Sequence, residues 1–216
     1  MEVGSRIRRP SARGCGATGG YRDYQQGPHL RTAAWPTVWN TLGRLQGGQD
    51  SPLTEYGLQQ VDRMGQLLLR ELEGAEGVQC QVSPLGRAQS RASRLQTTLP
   101  RTKWTADYRL TEMKFGSWDG MTAYEIAMEY PGLLDGSEAF DWFLRTPDGE
   151  SFEAVNARLG DWLRTVSGPT VVVTHGVAAR VLIGIYLGLP QERTLRLALP
   201  DSGLARLAGG RLTLLS

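Results

Sequence analysis

The sequence predicts an α/β fold of three layers, a mostly parallel sheet flanked by helices, and three observations carry that expectation. The run Thr170-Val171-Val172-Val173 has the continuous apolar character of a strand buried on both faces of a parallel sheet, and it delivers His175 to a turn at Gly176. Strand-like and helix-like periodicities alternate along the chain, which implies right-handed crossovers between parallel strands. The 216 residues, 40% of them hydrophobic, suffice for one good core and suggest a single domain.

The first 36 residues stand apart. Arg6, Arg8, Arg9, Arg13, Arg22 and Arg31 are set among glycines, and Val3, Ile7 and Leu30 are the only branched aliphatics. Such a segment lacks the apolar surface to offset its ordering entropy, so residues 1–36 are expected to be atypical and the folded domain to occupy 37–216. Within that domain Leu58, Val61, Met64, Leu68 and Leu72 recur every three or four residues and form one helical stripe after Ser51-Pro52-Leu53-Thr54. Val78 to Val82 reads as a short strand ending at Ser83-Pro84-Leu85, and Gly86 to Leu99 returns to a helical pattern. A further amphipathic helix carries Phe152, Val155, Leu159, Trp162 and Leu163 and leads into the strand before His175. The segment from Val177 to Leu187 is helical and closes at Gly188-Leu189-Pro190. Leu204–Leu207 and Leu212–Leu215, separated by Gly209-Gly210, form a terminal hairpin.

A net charge of +2 with mixed signs gives no broad basic field, which disfavours nucleic acid as a partner, while a pI near 8.7 leaves room for a local anion pocket. Cys15 and Cys80 have no metal-ligand spacing, and no apolar run is long enough for a secretory signal or a membrane span. The expected setting is reducing and cytoplasmic, with no membrane partner. Ligands of open α/β sheets bind beyond the carboxyl ends of the strands, so His175 is the first candidate for chemistry. A buried structural histidine is the alternative.

Four further segments align with His175. They are Thr37-Val38-Trp39-Asn40 with Arg44-Leu45-Gln46-Gly47; Leu53-Thr54-Glu55-Tyr56-Gly57; Ser83-Pro84-Leu85-Gly86-Arg87-Ala88; and Thr111-Glu112 with Phe115-Gly116-Ser117-Trp118-Asp119-Gly120. Together, in this order and spacing, they resemble the histidine phosphatase, or phosphoglycerate mutase-like, superfamily from Thr37 onward. The resemblance implies a phosphomonoesterase that works through a phosphohistidine, needs no metal or other cofactor, and takes a small phosphorylated substrate. It implies that Arg87 and His175 donate to phosphoryl oxygens, a task suited to the planar guanidinium fork. Glu112 is implied as the proton donor to the leaving oxygen. Asn40, Gln46 and Gly47 complete the implied substrate-binding set. Residues 122–146, with Tyr124, Tyr130, Phe140, Trp142 and Phe143, are expected to form a small helical cover over the active site, or else to pack in the core. The sequence leaves open which phosphomonoester is used and the oligomeric state.

The superfamily signature Arg-His-Gly, whose histidine attacks phosphorus, falls at Ala33-Ala34-Trp35. None of these side chains is a nucleophile, and His29 is not at the motif position. Advancing the codons for Ala33-Ala34-Trp35-Pro36 by one base makes the last overlap GGC, glycine, and lets the two before it read as arginine and histidine. The segment before Thr37 is therefore expected to be translated out of frame, which leaves the polypeptide nearly inactive. A phosphate-binding pseudoenzyme is the alternative, and a phosphoglycerate mutase a further one.

Overall fold

The computed structural model describes residues 37–138, 140–199 and 203–216. The expectations for residues 1–36, including the position of Ala33-Ala34-Trp35, lie outside the described residues. Helix α1 (Val38–Thr41) opens the described chain and is followed by α2 (Glu55–Glu71), β1 (Gln79–Val82), α3 (Gly86–Thr98) and β2 (Trp104–Ala106). Then come α4 (Ala123–Glu129), α5 (Phe152–Leu163), β3 (Thr170–Val173), α6 (Gly176–Leu187), α7 (Gln191–Leu195), β4 (Leu204–Ala208) and β5 (Arg211–Leu215). The helix starts follow local chemistry. Thr54 accepts from Gly57 N at 3.0 Å and Ser151 from Ala154 N at 3.1 Å, so each satisfies an amide with no intrahelical partner.

The strands β2, β1 and β3 form a parallel sheet in that order, with Cys80 opposite both Trp104 and Val171. Strand alternation divides their side chains between two layers of helix. On one face Val82, Val171 and Val173 meet Val61, Met64 and Leu68 of α2 and Ala88, Ala92 and Leu95 of α3. On the other, Val172 joins Val155, Leu159 and Trp162 of α5 and Val177 and Val181 of α6. The indole of Trp162 donates to Gln81 Oε1 at 2.6 Å on that same face. Each fully buried Leu or Val here stabilises the fold by roughly 1.5–3 kcal/mol.

Strand β3 departs from the expectation of burial on both faces. Val173 is buried, whereas Thr170, Val171 and Val172 are half-buried. Among the described residues β3 pairs only with β1, and β4 pairs only with β5, antiparallel. A cavity of about 520 Å³ separates them, lined by Thr170, Val171 and Val172 on one side and by Leu204, Ala205 and Leu207 on the other. Each of these two strands therefore contributes residues to the cavity wall and has one strand partner among the described residues.

The aromatics of residues 122–146 divide between core and surface. Phe143 is buried and Trp142, Tyr130 and Phe140 pack around the same core, with Trp142 stacked on Trp118 at 6.4 Å and Phe143 edge-on to Phe115 at 5.9 Å. Tyr124 is exposed. Arg44 ties α4 to the loop before Gln46 through a bidentate pair with Glu125 at 2.8 and 3.0 Å. No helix among the described residues is long and apolar enough to cross a membrane.

Candidate active site

Strands β1 and β3 end side by side, with Ser83 N donating to Val173 O at 2.9 Å, and their carboxyl ends set out the site. Beyond β3 the chain runs through Thr174 to His175, which is extended and begins α6. Beyond β1, Ser83-Pro84-Leu85 leads into α3, whose second residue is Arg87. The two candidate side chains thus meet because their strands are neighbours. Arg87 Nε donates to His175 Nδ1 at 3.1 Å, and His175 Nε2 lies 2.7 Å from Ser83 Oγ. With Nδ1 serving as acceptor, the network assigns the proton to Nε2, which donates to the serine.

His175, Arg87 and Glu112 are 3%, 5% and 7% exposed, so their polar atoms must be satisfied within the protein. Arg87 meets that requirement completely. Nη2 donates to Gln46 O and Gly47 O at 3.0 and 2.8 Å, and Nη1 donates to Gln49 O and Asp50 Oδ1, both at 2.8 Å. Together with the bond to His175, these engage all five donors of the guanidinium. Asp50 also accepts from Gly86 N and Arg87 N at 2.6 and 3.2 Å, so one carboxylate caps α3 and pairs with its arginine.

Burial holds the His175 imidazole well below its ordinary pKa, and the cations of Arg87, Arg91 and Arg158 add to the effect. Arg91, one turn along α3 from Arg87 and 2% exposed, is lowered to about 9 by burial and by Arg87. It remains a cation at neutral pH. The cluster is a neutral imidazole in a cationic setting, suited to attracting an anion.

Glu112 lies on the first turn of α6. Its Oε1 accepts from Met113 N and Ala178 N at 2.9 and 3.0 Å, and its Oε2 from Val177 N at 3.1 Å. It is thus a carboxylate ligand of a helix N-terminus immediately beside His175. Arg158 of α5 holds the segment bearing it, donating to Arg109 O, Thr111 O and Glu112 O at 2.7, 2.9 and 3.1 Å while paired with Glu150 at 2.7 Å.

Gln46 and Asn40 serve the start of the described chain. The Thr37 hydroxyl lies 2.8 Å from both Asn40 Oδ1 and Gln46 Oε1, and Gln46 Nε2 donates to Ser51 Oγ at 3.1 Å. Asn40 completes a capping box with Thr37 at the start of α1. Gly47 packs so closely that a Cβ would come within 2.8 Å of Met113 O and 3.0 Å of Phe115 N. The structure thus brings Arg87, His175, Gln46 and Gly47 into one hydrogen-bonded cluster, with Glu112 reaching it through α6 and Asn40 through Thr37. A family model described as the histidine phosphatase superfamily (branch 1) matches residues 36–211.

The chain belongs to the histidine phosphatase superfamily.

Membership accounts for the three-layer fold. The chain is 31% identical over 180 residues to a probable phosphoglycerate mutase, GpmB, of Yersinia pestis (strain Pestoides F), a match covering 79% of each protein. Among solved structures, Bacillus stearothermophilus YhfR is 30% identical with a TM-score of 0.67, covering 85% of this chain and 92% of its own. Mycobacterial glucosyl-3-phosphoglycerate phosphatase Rv2419c, solved with VO3, is 25% identical with a TM-score of 0.66, covering 84% and 94%.

Four members of the site were not among the candidates from the sequence: Asp50, Arg91, Arg158 and Glu150. Arg91 was legible as a cation one helical turn from Arg87. Arg158 and Glu150 have no such signal, because they act on main-chain carbonyls and each other. Among the described residues no three His, Cys, Asp or Glu side chains cluster to hold a metal ion.

Proposed function

We propose that this chain is a phosphomonoester hydrolase of the histidine phosphatase type that, as encoded, lacks its nucleophile and releases no phosphate. The observation that carries the reading is the Arg87–His175 pair at the ends of adjacent parallel strands, with the Glu112 carboxylate bound to the N-terminal amides of the helix that His175 begins. In the proposed reaction a histidine nitrogen at position 34 attacks phosphorus and the ester P–O bond breaks. The leaving oxygen takes a proton from Glu112, which enters this step as the carboxylic acid, and water then displaces the phosphoryl group from the imidazole, returning a proton to the Glu112 carboxylate. Arg87 and His175 stabilise the transferring oxygens once the phosphoryl group displaces the Arg87 Nε–His175 and His175–Ser83 bonds that engage their donors without substrate. Asn40, Gln46 and Gly47 shape the loop around the small phosphorylated substrate. Ala34 cannot perform the first step, and the out-of-frame reading of the segment before Thr37 accounts for its presence.

The test compares the chain as encoded with the triple variant Ala33→Arg, Ala34→His, Trp35→Gly, using p-nitrophenyl phosphate and measuring released phosphate. The encoded chain is expected to match buffer. The triple variant is expected to turn over and to carry acid-labile phosphate on residue 34. Comparable turnover by the encoded chain would place the nucleophile elsewhere and end the proposal. Sequencing the source DNA across codons 30 to 37 decides the frame independently. Because the matched relatives bear both phosphatase and mutase names, the triple variant is also assayed for phosphoglycerate interconversion.

A further inference from the structure

The segment Phe115-Gly116-Ser117-Trp118-Asp119-Gly120 has no part in the proposed chemistry, yet Asp119 makes an unusual set of contacts. Its Oδ1 accepts from Gly47 N at 2.6 Å, and its Oδ2 accepts from Gly48 N and Gln49 N at 2.8 and 2.9 Å. Backbone pairing brings the carboxylate there, because Gly120 N donates to Leu45 O at 2.9 Å and Leu45 N to Met121 O at 2.8 Å.

The opposite ends of these peptide groups face Arg87. The unit joining Gln46 to Gly47 accepts from Arg87 Nη2 through its C=O and donates to Asp119 through its N–H. The next unit, Gly47 to Gly48, does the same with the same two side chains. Two consecutive peptide dipoles therefore lie aligned between a buried cation and a half-buried carboxylate, each polarised from both ends. Gln49 adds a third link, with its N–H on Asp119 and its C=O on Arg87 Nη1. No side chain could be added at Gly47 without meeting backbone, so the relay has little freedom to shift.

We propose that Asp119 is the positioning residue for Arg87, holding the guanidinium in its plane through the Gln46–Gly47 and Gly47–Gly48 peptide groups. The proposal deepens the phosphatase reading and rests on it for its functional meaning. Its structural content is separate. Asp119 touches neither Arg87 nor any reacting atom; it fixes the carbonyls against which Arg87 is docked, and with them the direction from which an oxyanion can approach.

The test uses the full chain labelled with 15N-arginine, observing the Arg87 Nε–Hε signal in phosphate-free buffer, with the assignment made by its loss in Arg87→Lys. Asp119→Asn is nearly isosteric and removes the charge. It is expected to shift the Arg87 signal and speed its exchange with water at least about tenfold, while the amides of β1 and β3 are unchanged. Asp119→Glu, which keeps the carboxylate, is expected to restore the parent signal. An unchanged Arg87 signal in folded Asp119→Asn, with only the amides of Gly47, Gly48 and Gln49 displaced, overturns the proposal. If Asp119→Asn does not fold, Asp119→Glu decides, since a folded Glu variant without the parent Arg87 signal also overturns it. Inorganic phosphate titrated into the parent protein examines the phosphatase reading on its own. Failure of phosphate to move Arg87 counts against that reading and leaves the relay standing.

Discussion

Protonating His175 should destabilise the fold, and the size of the effect follows from its surroundings. A charged imidazole at this position loses the Nδ1 lone pair that accepts from Arg87 and sits among the cations of Arg87, Arg91 and Arg158. The folded state therefore binds the proton well below the ordinary histidine pKa of about 6.5, while the unfolded chain binds it there. Below about pH 6.5 the unfolded state holds more protons, so stability falls as pH falls and is fully regained above that value. Because burial and the surrounding guanidiniums keep the folded imidazole neutral well below that value, the loss grows steadily as pH falls below about 6.5. The assay is urea unfolding at pH 7.5 and 5.0 for the parent and for His175→Gln, which cannot titrate. Carboxylates contribute equally to both proteins, so the difference of differences isolates His175. The parent is expected to lose more stability than the variant over this interval. Equal losses would mean that the imidazole protonates freely in the folded state, and the buried, arginine-facing account of the site would be wrong.

Gly47→Ala should cost about 1–3 kcal/mol in thermal or urea unfolding, because the atoms its Cβ meets, Met113 O and Phe115 N, are backbone and cannot rotate away; a neutral result would show that the loop is loosely held. At Gly184 an added Cβ would lie 2.3 Å from Thr194 Oγ1, so Gly184→Ala is expected to destabilise the α6–α7 contact and Thr194→Ala to recover part of the loss, read as a non-additive double-mutant cycle. Glu112→Gln replaces an acceptor facing three N–H groups with a side chain that also carries donors, and a loss of about 1–3 kcal/mol is expected in the same unfolding measurement.

The fold was legible where period and length agree. The stripe through Val61, Met64 and Leu68 gave α2, that through Phe152, Val155 and Leu159 gave α5, and the apolar run before His175 gave β3. Strand β2 escaped notice because three residues, Trp104-Thr105-Ala106, are too few to show an alternation. Burial of β3 was overread, since an apolar run reports what a strand can bury and the neighbours determine what it does bury. In the site, Arg87 and His175 could be found because each follows a recognisable strand, whereas Glu112, in a loop, was reached only through the family resemblance. Asp119, Asp50 and Arg158 act on backbone atoms of distant loops, and such pairings exist only after the chain has folded. The aromatic run from Tyr124 to Phe143 shows the same limit. Its spacing could not separate a cover from a core, and the ring contacts place Trp142 and Phe143 in the core.

The cavity between β3 and β4 also divides the molecule mechanically. The β4–β5 ribbon is joined to the body by side chains, such as Leu204 against the α2–α3 cluster and Arg206 beside Glu71 at 3.3 Å, and by Gly210 N on the Tyr186 hydroxyl at 3.2 Å. Among the described residues no strand-to-strand hydrogen bond crosses the seam. A two-stranded ribbon on its own is marginal in water, so this one is expected to open as a separate cooperative unit, with its amides exchanging in hydrogen exchange well ahead of those of β1 and β3. The Arg87–His175 pair lies on the slow side of that seam, and its geometry should outlast the loss of the hairpin.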